Sequence, residues 1–188
     1  MIGAILAGGD SSRMGRDKAL VTLGGRPLIA HVAAALGAAG LEVIVVGRAS
    51  SPLHVAHVPD APAARGPAAG LMGALEYAAG RDVVLIGVDQ PFAAPGSIER
   101  VAAVATEGAA LPVDGGWPQV TFALYRAGCA GPLGELLAAD PEASLRDLLR
   151  AVPVVLVEPS TWTGWGEDGS SWWSIDTPED LAEAARLL

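Results

Sequence analysis

Residues 6–18 read Leu-Ala-Gly-Gly-Asp-Ser-Ser-Arg-Met-Gly-Arg-Asp-Lys, directly after the short apolar run 1–5. Glycines let backbone N–H groups close on an anion and reach the φ > 0 conformations that such a curve needs. Arg13, Arg16 and Lys18 add three cations within six residues, the charge that a polyphosphate would meet. Two glycines beside a strand end suit a base or ribose lying on bare backbone, with Arg13 and Lys18 reaching the phosphates. The spacing is neither Gly-x-x-x-x-Gly-Lys-Ser/Thr nor Gly-x-Gly-x-x-Gly, so a third kind of phosphate loop is required.

Asp89 is the second candidate. It ends the apolar run 82–88 and precedes Gln90-Pro91. At the carboxyl edge of a strand it would face the ligand crevice of an open α/β sheet. A carboxylate beside a triphosphate suits Mg²⁺, which takes one or two carboxylates together with phosphate oxygens and water. The plainer reading of Asp89 is a turn cap. Gly66-Pro67-Ala68-Ala69-Gly70 is the third element, because small residues there let a helix N-terminus approach a ligand. His31, His54, His57 and Cys129 have no metal-ligand spacing and read as structural residues. No Ser-His-Asp arrangement is supported.

The elements that must position these groups alternate along the chain. Strands are expected at 1–6, 41–46, 53–58, 82–88, 108–113, 119–125, 152–157 and 171–175, the stretch 119–125 running antiparallel to its neighbours. Helices are expected at 27–40, 69–79, 97–107, 132–139, 144–150 and 178–188, the last with Glu179 and Asp180 in its first turn. Residues 59–67 are too rich in Pro and Ala to be regular, and 158–169 read as a long loop. Strands alternating with helices imply one α/β domain over residues 1–188. Its expected architecture is a Rossmann-like three-layer α/β/α sandwich around a mostly parallel sheet.

At 188 residues the chain suits one such domain, which would bury about 70% of its unfolded surface. The formal charge of −9 argues against nucleic acid as a partner, which would call for a basic stripe. It does not argue against a phosphorylated small molecule, since the cations concentrate in the first loop. No apolar run approaches the ~18 residues of a membrane span. The opening residues carry no basic secretory n-region, and Cys129 has no cysteine to pair with. The expectation is a cytoplasmic protein without a membrane partner.

The run from Leu6 to Leu20, with Arg13-Met14-Gly15-x-Asp17-Lys18 at its centre, resembles the signature of the molybdenum cofactor guanylyltransferases. These belong to the nucleotidyltransferase superfamily, whose fold is of the nucleotide-diphospho-sugar transferase type. Gly9 together with Met14-Gly15-x-Asp17-Lys18 points to the guanylyl branch. The Asp-x-Pro at Asp89 matches the family's magnesium-binding aspartate, and 66–70 match its Gly-Pro-Leu-Ala-Gly with Ala68 in place of Leu. Asp60 falls where relatives place an aspartate on the nucleotide; a surface-loop aspartate is the equal alternative. Residues 172–181 resemble Phe-x-Asn-x-Asn-Thr-Pro-Glu-Asp-Leu, but Ser174 and Asp176 replace both asparagines of the acceptor side. Val46-Gly47-Arg48 stands where relatives carry another asparagine.

The resemblance implies transfer of GMP from Mg²⁺-GTP to the phosphate of molybdenum-molybdopterin, with pyrophosphate released. Lys18, Arg13 and Asp89 would act in catalysis. Leu6, Ala7, Gly8, Gly9, Lys18, Asp60, Gly66 and Asp89 would bind the nucleotide, Asp89 the metal, and Ser174 and Asp176 the acceptor. Molybdoenzyme maturation chaperones are the implied protein partners. Two alternatives remain open: a related enzyme using CTP or another phosphorylated acceptor, and a non-catalytic GTP-binding maturation protein. For Trp162, Trp165, Trp172 and Trp173, stacking on a pterin, core packing and a dimer contact are equally open.

Overall fold

The structure is a computed structural model and describes residues 1–8 and 17–187. The expectations for Gly9, Arg13, Met14, Gly15 and Arg16 therefore lie outside the described residues. The sheet forms around β1 (Ile2–Leu6), whose residues are apolar on both faces because helices cover both. β4 (Glu42–Val46) and β6 (Val83–Gly87) flank it in parallel, with Leu6 level with both Val46 and Gly87. β5 (Ala56–Val58) extends one side. On the other side β9 (Phe122–Tyr125) runs antiparallel to β6 and to β7 (Ala109–Asp114). β10 (Val154–Val157) closes that edge parallel to β7. The resulting order is β10-β7-β9-β6-β1-β4-β5, with the short strand β8 (Trp117–Pro118) turned back on β7. A separate hairpin joins β2 (Thr22–Leu23) to β3 (Arg26–Pro27).

Two apolar layers result. On one face α2 (Gly66–Ala78), α4 (Ala130–Ala139) and α5 (Leu145–Ala151) bury Leu71, Leu75, Leu133 and Leu148 against the sheet. On the other, α1 (Leu28–Ala38) and α3 (Pro95–Ala102) bury Ile29, Val32, Leu36, Ile98 and Val101. The short α6 (Pro159–Trp162) and the C-terminal α7 (Pro178–Ala184) complete the set. From β1 the chain moves to β4 and β5, then returns to the opposite side of β1 as β6. The switch point is therefore the β1/β6 boundary, where α/β sheets open a ligand crevice beyond the strand ends.

Four segments depart from the sequence reading. Residues 171–175 are not a strand: Ser170–Trp172 is a 3-10 turn, and the Ser171 N–H is spent on Glu167 at 3.3 Å. The stretch 158–169 is not all loop, because Pro159 starts α6 and Trp162 buries its indole there. The helix expected to reach 107 ends at Ala102, and Arg126 then takes the carbonyls of Val104 and Thr106 at 3.0 and 3.1 Å. Backbone acceptors satisfied by a guanidinium need no further helical turn. The last helix stops at Ala184, followed by tighter turns such as Leu187 N to Ala184 O at 3.1 Å.

Gly73 shows how closely α2 lies on the segment that follows β5. A Cβ there would meet the Pro59 carbonyl oxygen at 2.3 Å. Gly73→Ala should therefore destabilise the fold by about 2 kcal/mol, lowering the melting temperature by roughly 4–8 °C. Thermal unfolding followed by circular dichroism checks this, and an unchanged midpoint would show that the loop gives way freely.

Candidate active site

Asp17 opens the site. Its Oδ1 accepts the Ala19 N–H at 3.1 Å and so caps the 3-10 turn Lys18–Leu20, which buried Ala19 anchors to the core. The turn sends the Lys18 side chain to the β1/β6 boundary. Lys18 Nζ lies 3.2 Å from Asp89 Oδ2 and 2.6 Å from Asp176 Oδ1. Burial lowers the lysine pKa, but the Asp176 hydrogen bond and the two carboxylate charges outweigh it, so the net shift is upward. The ammonium stays charged.

Asp89 sits two residues beyond β6. Val88 N donates to Leu6 O at 3.0 Å, and Asp89 O accepts from Ile175 N at 2.8 Å, which draws the C-terminal segment to the strand end. Gln90, fully buried, completes this joint. Its Oε1 accepts from Gly87 N at 2.9 Å and its Nε2 donates to Trp172 O at 3.2 Å. Asp176 is held by the start of α7. Thr177 and Asp180 form a capping box, and Asp180 Oδ2 also accepts the Asp176 N–H at 2.9 Å.

Two cavities open nearby, one beside Leu6 at the end of β1 and the other lined by Asp176. One, of about 510 Å³, is lined by Leu6, Gly8, Asp60, Ala64, Arg65, Gly66 and Pro67, at the N-terminus of α2. Here Asp60 Oδ1 is buried without a hydrogen-bond partner among the described residues, and burial raises the Asp60 pKa. A buried lone carboxylate oxygen is costly unless a donor reaches it. The wall beside it is bare backbone. Gly47 has φ +83°, and a Cβ there would fall 2.7 Å from Gly8 Cα and 3.0 Å from Asp60 Oδ1. Ala7 is not in the lining, and its N–H is taken by Val46 O at 3.0 Å.

The second cavity, of about 580 Å³, is lined by Asp114, Gln119, Asp168, Gly169, Ser170, Trp172, Trp173, Ser174 and Asp176. Asp176 thus belongs both to this cavity and to the Lys18 cluster. Trp162 and Trp172 are core residues, packed edge to face at 5.2 Å, and Trp172 meets Phe122 in the same way at 5.5 Å. Trp173 stacks on Phe92 at 5.8 Å. Trp172 Nε1 donates to Asp114 Oδ2 at 3.3 Å, so core packing and the cavity wall share this residue.

Among the predicted site residues, the structure gathers Leu6, Gly8, Asp60 and Gly66 at one cavity, and Ser174 and Asp176 at the other. Lys18 and Asp89 meet at Asp176. Sequence reasoning missed Glu167, which is 8% exposed and organises the second cavity's loop. Its Oε1 accepts the N–H groups of Asp168, Gly169 and Ser171, and its Oε2 accepts the hydroxyls of Ser97 and Ser171. Burial pushes its pKa up, but these hydrogen bonds outweigh burial and the net shift is downward. No spacing motif announces such a residue; a lone Glu in a Gly- and Ser-rich stretch is the only trace.

A carboxyl held below its unfolded pKa contributes stability above that value, which is lost as pH falls through the folded pKa. Glu167→Ala should cost about 3 kcal/mol at pH 7 and flatten the acid limb of stability below about pH 4.5. Denaturant unfolding at pH 7 and pH 4 reads both effects. An equal loss for the variant at the two pH values would contradict the assigned ionisation.

Residues 3–155 match the family model of the MobA-like NTP transferase domain. Over 99% of its length the chain is 36% identical to a molybdenum cofactor guanylyltransferase of Rhizobium johnstonii, covering 92% of that protein. A second, from Rhodobacter capsulatus, is 35% identical, with 99% and 95% covered. Among solved structures, molybdopterin-guanine dinucleotide biosynthesis protein A from Archaeoglobus fulgidus superposes with a TM-score of 0.85 at 25% identity, over 100% of this chain and 98% of that one. The 2-C-methyl-D-erythritol 4-phosphate cytidylyltransferase of Thermus thermophilus shares the fold, with a TM-score of 0.74 at 22% identity over 99% and 98%.

Proposed function

The chain belongs to the MobA-like NTP transferases, among the molybdenum cofactor guanylyltransferases, and is therefore a nucleotidyltransferase; we propose that it transfers GMP from GTP to the terminal phosphate of molybdenum-molybdopterin and releases pyrophosphate. The meeting of Lys18, Asp89 and Asp176, the last of which also lines one of the two cavities of ligand size, carries this reading. The cavity at Gly8 and Asp60 takes guanine and ribose, and the cavity at Ser174 and Asp176 takes the acceptor. Asp60 presents an unsatisfied acceptor oxygen. Guanine offers ring and exocyclic N–H donors to it, whereas cytosine offers only its exocyclic amine.

In the reaction an acceptor phosphate oxygen forms a bond to the α-phosphorus of GTP. The bond from that phosphorus to the bridging β-oxygen breaks, and its electron pair leaves with pyrophosphate. The attacking phosphate is already ionised, so no general base is required. Catalysis is then positioning and charge neutralisation. Lys18 neutralises the leaving phosphates together with Arg13, while Leu6, Gly8, Gly9 and Gly66 hold the nucleoside against backbone.

The donor set also suits Mg²⁺. Asp89 and Asp176 direct two carboxylates at one cation position, filled here by the Lys18 ammonium. Asp89 would hold the ion, with Asp176 beside it, and the bound metal would supply charge stabilisation on the phosphate oxygens. Molybdoenzyme maturation chaperones are the protein partners that this reading implies.

Ser174 and Asp176, in place of the relatives' asparagines, favour one competing reading in which CTP or another phosphorylated acceptor is used. Pyrophosphate release from GTP and from CTP, each with Mg²⁺ and molybdenum-molybdopterin, separates the two. GTP should lead by at least about tenfold. Equal rates, or release only with CTP, would overturn the guanylyl assignment.

A further inference from the structure

Three successive residues at the end of β4, Val46 to Arg48, hold the two flanks of the N-terminal loop. Val46 O accepts the Ala7 N–H at 3.0 Å. Gly47 packs so closely on Gly8 that no side chain fits between them. Arg48 grips Asp17 from the other flank, with Nη1 3.0 Å from Oδ1 and Nη2 2.8 Å from Oδ2. Its Nε donates to Ser50 O at 2.6 Å, so the plane of the guanidinium is fixed on both sides. Only 17% of the Arg48 side chain is exposed.

We propose that Arg48 is a positioning residue that sets, through Asp17, where the Lys18 ammonium meets the triphosphate. The assignment rests on the nucleotidyltransfer reading above. The chain of contacts is short: guanidinium to Asp17 carboxylate, carboxylate to Ala19 N–H, and that cap to the 3-10 turn whose first residue is Lys18. A bidentate guanidinium–carboxylate pair fixes orientation as well as charge, which a lysine ammonium does not. Asp17 bears the mark of this grip: the Arg48 hydrogen bond, against burial, brings its pKa below the usual carboxylate value. The pair also neutralises a carboxylate one residue from Lys18, where a bare negative charge would repel phosphate. Among the described residues Arg48 bonds to Asp17 and Ser50 and lines neither cavity, so its influence on the nucleotide runs through its neighbour.

The test is a double-mutant cycle on Mg²⁺-GTP binding, measured by calorimetry without acceptor. Arg48→Ala should weaken binding roughly tenfold, and Arg48→Lys should recover part of the loss. In a Lys18→Ala background, Arg48→Ala should change affinity less than twofold, because the group it positions is gone. The same tenfold loss in that background, or less than a twofold loss in the otherwise unaltered protein, would overturn the proposal. If Arg48→Ala fails to fold, Arg48→Lys carries the same cycle. Failure of the unaltered protein to bind GTP would instead sink the nucleotidyltransfer reading, so the two failures are distinguishable.

Discussion

Lys18→Ala should lower the rate of pyrophosphate release by roughly 10²–10⁴-fold while the protein stays folded. On the reaction coordinate, negative charge moves onto the β-phosphate as the bond to the α-phosphorus breaks. An ammonium fixed at that point binds the triphosphate in the ground state and stabilises the transition state still more, so its removal lowers kcat by more than it weakens GTP binding. The fold has little need of the residue. Its side chain ends in a cluster with carboxylates that are 26% and 49% exposed, where ion pairs contribute little to stability. The turn that carries it is held by Asp17 and Ala19, neither of which the substitution touches. Steady-state kinetics with a melting curve for each variant checks the prediction. A turnover within a few-fold of the parent would remove Lys18 from the catalytic assignment.

Asp89→Ala should make GTP binding insensitive to Mg²⁺ and reduce turnover by at least roughly 10²-fold. The substitution removes the carboxylate two residues beyond β6 but spares the backbone carbonyl that accepts the Ile175 N–H. The C-terminal segment should therefore keep its place, since Gln90 continues to link Gly87 to Trp172. The measurement is GTP affinity titrated with and without Mg²⁺. An unchanged metal requirement would move the metal away from Asp89. A loss of GTP affinity of equal size with and without Mg²⁺ would show that Asp89 touches the nucleotide directly.

Much of this arrangement is legible in the sequence, for identifiable reasons. The buried parallel strands are uninterrupted apolar runs, so β1, β4 and β6 stand out, and with them the strand ends that carry Leu6, Val46 and Asp89. The antiparallel β9 shows through its alternation. The C-terminal third is harder to read. Its order comes from side chains that bond to backbone rather than from any period: Glu167 collects N–H groups, Trp162 Nε1 reaches Val113 O at 3.0 Å, and Gln90 holds Trp172. Such contacts join residues remote in sequence and leave no local signature. For the same reason Asp176 reads from sequence as an acceptor residue, while its contact with Lys18, 158 positions away, emerges only from the fold. The Arg48–Asp17 pair spans 31 positions and is equally invisible along the chain.

The most direct measurement follows two labels in one reaction. GTP carrying one isotope at the α-phosphate and another at the γ-phosphate is incubated with the protein, Mg²⁺ and molybdenum-molybdopterin, and the products are separated. The α-label should appear in a pterin dinucleotide and the γ-label in pyrophosphate, in equal amounts and only when the acceptor is present. Recovery of the α-label in GDP or free GMP, with none attached to the pterin, would contradict the account.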